Sequence, residues 1–267
     1  MNTLSINHQD WDQLWSKAHR HLAGIPYLRE KTELQGLPRL LRNVKTFVDV
    51  GASYGPYTWV AHYVLDGCDI HCIEANPAFA GHIEKEWAGV LENGESRGNK
   101  LHVVQRPVSN SEADMLFQVD PVHPFHSFLI GMKDSSAGDA KPDVLTLKTI
   151  MLDGLFADKT TPDLIKIDIE GAEWRALDGC REIIKKRITR FLLEIHPWGD
   201  SSLGKRPSDI FGFFRDQDYT VERINTHWHF IPKAPSLINK AMSMAYGFVL
   251  DHTSIKLFIK RVLKVKA

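Results

Sequence analysis

The chain has 267 residues, with 33 basic and 33 acidic side chains and a formal net charge of zero at pH 7. This length is sufficient for one large domain with small additions, and the balanced charge argues against nucleic acid as a partner. The three cysteines form no CxxC pair, which argues against a disulfide framework and a zinc ribbon. Because the polar N-terminus lacks the apolar segment of a secretory signal, we expect a cytoplasmic protein.

The first part of the chain is predicted to be helical, and the middle part alternates strands with helices. We expect residues 1–43 to form an N-terminal helical extension and residues 44–232 to form one α/β domain. Strands are predicted at 45–50, 69–75, 100–108, 163–170, 189–196, 219–224 and 227–231. Helices are predicted at 57–65, 77 to about 91, 172–186 and 207–217. This alternation is typical of a doubly wound, mainly parallel sheet, and the two-residue turn Asn225-Thr226 predicts an antiparallel last strand.

Two further strands are predicted at 114–120 and 143–149, as an added pair. The segment 121–132 between them carries Phe125, Phe128 and Met132, which makes it too apolar for a solvated loop. Two interpretations are open, namely a lid over an acceptor pocket and a simple packing flap.

The turn after the first strand is the first candidate for a ligand site, because doubly wound sheets bind ligands beyond the carboxyl ends of their strands. In the sequence FVDVGASYGPYT (47–58), Gly51 permits a sharp turn and Gly55 precedes a helix. The spacing lacks the three glycines of a dinucleotide fingerprint. Asp49 would repel a phosphate and suits an ammonium or sulfonium group. The alternative is a strand-to-helix turn that binds no ligand.

Glu74 closes the next strand, 25 positions after Asp49. A carboxylate at about this distance commonly accepts hydrogen bonds from ribose hydroxyls. The alternative is a surface glutamate that is favoured at a helix start by the helix dipole. Together with the glycine turn, Glu74 indicates a site for an adenosyl cofactor.

The segment DLIKIDIEGAEW (163–174) carries charges within a predicted central strand. Lys166, Asp168 and Glu170 alternate with isoleucines and therefore share one face, whereas a central parallel strand is normally apolar on both faces. We interpret Asp168 as a site residue. The alternative is a Lys166–Asp168 ion pair with acids at the helix start, which accounts readily for Glu173.

The segment FLLEIHPW (191–198) ends the following strand with Glu194 and His196 on one face. Histidine suits proton transfer near neutrality, so the pair is a candidate for acid–base catalysis; a structural histidine is the alternative. Asp168 and Glu194 can also be read as ligands of Mg²⁺. We rank the metal second, because a hard cation requires more oxygen ligands than the sequence identifies.

These stretches, with CIEANP (72–77), VSNSEADM (108–115) and KIDIEGAE (166–173), resemble the FkbM-type S-adenosylmethionine-dependent methyltransferases. The resemblance covers roughly residues 44–200 and extends weakly to 232. One departure is Ser53, where the family usually has asparagine in its DVGAN pattern. The resemblance implies a seven-stranded, Rossmann-like class I methyltransferase fold with S-adenosylmethionine as methyl donor.

The resemblance also implies roles for individual residues. Asp49, Gly51, Ser53 and Gly55 would surround the methionine half of the cofactor, and Glu74 would bind its ribose. Val108 and Ser109 would lie near the adenine, and Asp168 near the methionine or the acceptor. With Glu194 and His196, Asp168 completes the candidate catalytic set.

The implied activity is O-methylation of a hydroxyl on a sugar, a glycolipid or a polyketide-like metabolite. Two other functional classes remain open. A non-catalytic binding or scaffold protein would require a broken cofactor site, and a nicotinamide oxidoreductase is disfavoured by the glycine spacing.

Residues 233–267 are expected to form a C-terminal helical segment. Between 254 and 265, apolar residues recur at one helical face and basic residues lie largely off it. Such a helix can contact an anionic bilayer, here at the inner membrane surface, or it can pack on its own domain or on a second subunit in a homo-oligomer. The last two arrangements are the more common.

Overall fold

A computed structural model of the chain describes residues 8–22, 28–119, 128–132, 143–197 and 203–264. Ten strands lie within these residues: β1 (Thr46–Val50), β2 (Asp69–Ile73), β3 (Lys100–Val104), β4 (Asp114–Gln118), β5 (Phe128–Met132), β6 (Val144–Lys148), β7 (Leu164–Ile167), β8 (Arg190–Leu193), β9 (Tyr219–Ile224) and β10 (His227–Pro232).

Seven of the strands form one sheet in the order β3-β2-β1-β7-β8-β10-β9. The pairs from β3 to β8 are parallel, and β10 lies antiparallel between β8 and β9. The predicted class I α/β fold is therefore confirmed, with its antiparallel last strand after the Asn225-Thr226 turn.

The described helices are α1 (His8–His19), α2 (Leu28–Glu33), α3 (Leu37–Leu40), α4 (Pro56–Val64), α5 (Pro77–Glu92), α6 (Leu152–Leu155), α7 (Glu173–Asp178), α8 (Arg181–Lys185), α9 (Pro207–Asp216) and α10 (Leu237–Lys264). A short 3₁₀ helix, Leu34–Gly36, joins α2 and α3. No helix within the described ranges combines the length and apolar character needed to cross a membrane.

One predicted helix, 172–186, is divided in the structure at Gly179. Here the chain comes close to the backbone of Ser109, and a Cβ on Gly179 would lie 2.1 Å from the Ser109 carbonyl oxygen. The sequence pattern contains no sign of this approach, because Ser109 is distant along the chain. A single continuous helix was therefore the wrong prediction.

The predicted strand pair 114–120 and 143–149 is confirmed and is part of a smaller sheet in the order β5-β4-β6. Its third strand, β5, lies within the segment that was interpreted as a lid or flap. Residues 121–127 of that segment, including Phe125, lie outside the described residues. The backbone of 128–132 pairs antiparallel with β4, so this part is a strand rather than a loop.

The main sheet has an apolar core on each face. Phe47 and Leu164 point towards α4 and the N-terminal helices, where Trp11 and Trp15 of α1 join the same cluster. Val48 and Ile165 point to the opposite face, towards α7, α8 and α9. Because side chains alternate along a strand, Asp49 and Lys166 must project into the first of these cores.

Candidate active site

A buried ion network connects the first strand with the strand beside it. Asp49 and Lys166 are register partners in the parallel pair β1–β7, and Asp49 Oδ1 lies 3.2 Å from Lys166 Nζ. The same ammonium donates to the Gly51 carbonyl at 2.8 Å and lies 3.7 Å from Asp168 Oδ2. Burial opposes the charge on Lys166, but the two carboxylates outweigh it and raise the pKa of the ammonium. The buried Lys166 ammonium therefore connects Asp49 and Asp168 with the glycine turn.

The second carboxylate oxygen of Asp49 fixes the start of α4. It accepts hydrogen bonds from the Thr58 backbone N–H at 3.1 Å and from the Thr58 hydroxyl at 2.8 Å. Asp49 thus satisfies one of the free N–H groups of the helix N-terminus. Its side chain is fully buried, and the cation that it meets in the structure is Lys166.

The turn 51–55 is held in a left-handed backbone conformation at three of its five residues: φ is +72° at Gly51, +53° at Ser53 and +86° at Gly55. A Cβ on Gly51 would lie only 1.8 Å from the Asp168 carbonyl oxygen. Glycine is thus required at position 51 both by backbone conformation and by space. The buried Ser53 hydroxyl has no hydrogen-bond partner within the described part of the chain.

Glu74 lies at the carboxyl end of β2 and touches the same turn. Its Oε2 accepts from the Ser53 N–H at 2.7 Å, and its Oε1 accepts from the Asn76 N–H at 2.7 Å. Burial raises the pKa of this carboxyl, although both backbone donors act in the opposite direction. Each oxygen still has a lone pair for a further donor.

His196 lies among three carboxylates. Its Nδ1 is 2.8 Å from Glu173 Oε1, and its Nε2 is 3.9 Å from Asp168 Oδ1 and 3.8 Å from Glu170 Oε2. Burial lowers the pKa of the imidazole, but the hydrogen bond to Glu173 and the surrounding negative charge raise it to about 10. At neutral pH this ring is therefore a cation and a hydrogen-bond donor.

Glu194 lies close to Asp168 and His227. Burial, followed by repulsion from Asp168, raises the pKa of Glu194 to about 7. Its Oε2 lies 3.7 Å from Nε2 of His227, and the same nitrogen lies 2.9 Å from the Tyr57 hydroxyl. Burial lowers the pKa of His227 to about 4, so this ring is neutral. Glu194 thus titrates near neutrality.

Asp168 connects the two halves of the site. Burial alone would raise the pKa of Asp168, but the nearby Lys166 ammonium and the His196 ring outweigh this effect and lower the pKa. With Glu194 and His227, and separately with Glu170 and His196, it forms groups whose ligand atoms lie within 4.8 Å of one another. The sequence prediction that Asp168, Glu194 and His196 meet at one edge agrees with these distances.

Neither group suits Mg²⁺. Each contains an imidazole, whereas Mg²⁺ prefers oxygen ligands in octahedral geometry. A cation bound by His196 would also have to displace the proton on that ring, which has a pKa of about 10.

Val108 and Ser109 lie after β3, but both are buried. The Ser109 hydroxyl donates to Asn110 Oδ1 at 3.3 Å and lies 3.7 Å from the Met115 sulfur. Contact of these two residues with an adenine ring stays a prediction.

A small pocket adjoins His196 at the start of α9. Its lining includes Glu173, Trp174, His196, Lys205, Arg206 and Ile210. Lys205 Nζ lies 4.4 Å from the centre of the Trp174 ring. The pocket therefore combines an aromatic wall with basic side chains.

Sequence reasoning missed the contributions of Tyr57 and His227. The signal for His227 was its position: it begins an antiparallel strand, so it lies at the carboxyl edge of the parallel strands. Tyr57 lies in the first turn of α4, next to the glycine turn. The pairing of Lys166 with Asp49 was also missed, because it depends on strand register.

Taken together, the strand order, the glycine turn and the acid after β2 define a class I methyltransferase fold. A family model described as "Methyltransferase FkbM domain" matches residues 49–221. The chain belongs to this family of S-adenosylmethionine-dependent methyltransferases. No curated relative matches it.

Several solved structures resemble the chain. Methyltransferase FkbM from Methylobacillus flagellatus KT has 14% identity and a TM-score of 0.46, covering 82% of this chain and 58% of that protein. The precorrin-6y C5,15-methyltransferase from Geobacter metallireducens GS-15 has 14% identity and a TM-score of 0.40, covering 78% and 88%. TrmK from M. capricolum, in complex with S-adenosyl-homocysteine, has 9% identity and a TM-score of 0.37, covering 74% and 65%. At these TM-scores, none of the likenesses bears on the reaction of this chain.

The glycine turn can be tested with two matched substitutions. Gly51→Ala adds a Cβ that clashes with Asp168 O, whereas Gly67→Ala shares a positive φ, +62°, and meets nothing within 4 Å. We expect Gly67→Ala to lower the free energy of unfolding by about 1–2 kcal/mol, the cost of the left-handed conformation. Gly51→Ala should cost clearly more and also weaken binding of S-adenosylmethionine. Denaturant unfolding and calorimetry measure both effects, and equal losses of stability would contradict the assignment.

Proposed function

We propose that this chain transfers the methyl group of S-adenosylmethionine to a hydroxyl of a sugar, a glycolipid or a polyketide-like metabolite. The observation that carries this proposal is the charge of the side-chain cluster at the carboxyl edge of the sheet. The cluster described above contains the carboxyl groups of Asp49, Glu74, Asp168, Glu170, Glu173 and Glu194 and the cations Lys166 and His196. Such an excess of negative charge suits a sulfonium and an ammonium group.

Glu74 and Gly51 fit the cofactor, and Asp49 supports them indirectly. Glu74 has free lone pairs for the ribose hydroxyls, and its ionised form is held by Ser53 N–H and Asn76 N–H. Gly51 keeps the turn close to the sheet, since a side chain there would meet Asp168. Asp49 acts indirectly, because it fixes Lys166 and the start of α4.

When bound, the cofactor supplies an electrophilic methyl group, and the protein must bring an oxygen into line with it. Correct placement of the two reactants can contribute about 7–11 kcal/mol. An aliphatic hydroxyl must also lose its proton during attack. The chain therefore needs a base at the carboxyl edge that is unprotonated at neutral pH.

Glu194 fits this requirement better than His196, which the sequence favoured. The His196 ring is already protonated at neutral pH, because its pKa is about 10. The pKa of Glu194, about 7, divides the carboxyl between its two forms near neutrality. Glu194 is thus assigned as the base, while His196, oriented by Glu173, donates a hydrogen bond to the acceptor.

The acceptor would enter from the pocket beside His196. The Lys205 ammonium lies over the Trp174 ring, 4.4 Å from its centre, and Lys205 and Arg206 suit an acceptor that carries negative charge.

The two alternatives receive less support. A scaffold protein without catalysis would not need a carboxyl group with a pKa of about 7 among the acids at the carboxyl edge of the sheet. A nicotinamide site would need a pyrophosphate cradle, whereas carboxylates surround this turn. Titration with S-adenosylmethionine and with NAD distinguishes these possibilities.

The assignment of the base predicts the pH dependence of catalysis. A base works only when deprotonated, so kcat/KM should fall as the pH drops below about 7 and should reach a plateau above it. Glu194→Gln should remove this pH dependence and lower kcat roughly 100- to 10,000-fold, with little change in cofactor affinity.

A fall in kcat/KM below about pH 10 that vanishes in His196→Gln would instead identify His196 as the base. Loss of activity on EDTA treatment, with recovery on adding Mg²⁺, would contradict metal-free catalysis.

The ribose contact of Glu74 can be isolated by a double-mutant cycle. Glu74→Gln should weaken binding of S-adenosylhomocysteine roughly 10- to 100-fold, the range for hydrogen bonds to a charged group. The 2′-deoxy analogue should show a similar loss with the natural chain and little further loss with Glu74→Gln. If the two losses simply add in calorimetry, Glu74 supports the turn without touching the ribose.

A further inference from the structure

The C-terminal helix α10 packs on the domain along one face. Gly247 lies against Ser208 of α9, where an added Cβ would be 2.8 Å from the Ser208 Cα. The ring centres of Tyr246 and Trp228 are 4.6 Å apart. Asn239 exchanges two hydrogen bonds with the backbone of Val221 in the edge strand β9. These contacts fix the direction and rotation of the helix.

The opposite face of α10 is apolar and exposed. Nine large hydrophobic residues are exposed among the described side chains, and six of them lie on this helix. They are Leu237, Ile238, Met242, Met244, Phe248 and Val249, which are between 41% and 85% exposed. At 100° per residue they share one side of the helix, away from Tyr246 and Gly247. We call these six residues the α10 apolar face.

The same part of the chain is strongly basic. Residues 233–267 contain seven of the 33 basic residues and one of the 33 acidic residues. That single acid, Asp251, accepts a hydrogen bond from the Ser208 N–H at 3.0 Å and is thus turned towards the domain. The protein is neutral overall, so its C-terminal segment is positive while the rest of the chain is negative.

The direction of α10 relates this surface to the active site. The helix begins beside β9 and reaches the first turn of α9 at Asp251. That turn also borders the pocket beside His196. The helix continues from Asp251 to Lys264, which at 1.5 Å per residue is roughly 20 Å. Its last turns therefore extend beyond the carboxyl edge of the sheet, on the side where the candidate active site lies.

We propose that the α10 apolar face and the basic end of the helix bind an anionic lipid surface. An exposed apolar stripe flanked by basic residues matches the chemistry of an interfacial helix. Pairing of two copies through this face would bring two positively charged segments together, which is unfavourable. If the proposed methyl transfer is correct, this orientation places the pocket beside the lipid, and the acceptor hydroxyl belongs to a lipid-linked molecule.

Co-sedimentation of the full chain with vesicles tests the proposal. Binding should be strong to phosphatidylcholine mixed with phosphatidylglycerol, weak to phosphatidylcholine alone, and reduced by salt. Phe248→Gln with Val249→Gln should weaken binding at least roughly tenfold through lost apolar burial. Lys256→Gln with Lys260→Gln should weaken it roughly fivefold per charge.

The matched control is Leu91→Gln with Ile188→Gln, two residues of similar exposure elsewhere on the surface, at 54% and 60%. This variant should pellet like the natural chain.

Equal pelleting of all variants, or no pelleting of the natural chain, overturns the proposal. A dimer in light scattering that is lost in Phe248→Gln, without vesicle binding, identifies a subunit interface and also overturns it. Calorimetry with S-adenosylmethionine on the same samples tests the proposed function separately, because vesicle binding does not require the cofactor.

Discussion

The arrangement of the candidate active site depends on the ion pairs that the buried Lys166 ammonium forms. It lies in the core between β1 and β7, next to the carboxylates of Asp49 and Asp168, and it donates to the Gly51 carbonyl. Removing one member of such a buried group leaves an unpaired charge, which typically costs about 3–5 kcal/mol. The network therefore fixes the turn, the start of α4 and Asp168 as one unit.

This unit explains how one sheet edge can hold groups with different proton affinities. Asp168 is kept ionised by the adjacent cations, and its negative charge in turn contributes to the raised pKa values of Glu194 and His196. The result is an ionised acid, a carboxyl with a pKa of about 7 and an imidazole with a pKa of about 10, within a few ångströms of one another. Pairs of groups with pKa values moved apart are a common sign of acid–base chemistry, and here they lie after β7 and β8, at the carboxyl edge of the sheet.

Much of the fold was readable from the sequence, because the strands of the main sheet are short apolar runs that alternate with helical segments. Gly51, Glu74, Asp168 and Glu194 were predicted as candidate site residues from their positions at or near the ends of these runs. The pairing of Asp49 with Lys166 was not, since it depends on the register of two strands that are far apart in sequence. The protonation of His196 was also inaccessible, because it follows from the approach of Glu173 from the next helix.

A carboxyl and side-chain amine NMR titration of the full chain tests the central claim most directly, because it reports the charge of Lys166 and Asp168 themselves. We expect Asp168 to titrate below its ordinary pKa of 3.8 and Lys166 to stay protonated above 10.5. An Asp168 carboxyl that titrates above 3.8, with Lys166 losing its proton below 10.5, would show that no ion network joins the two residues.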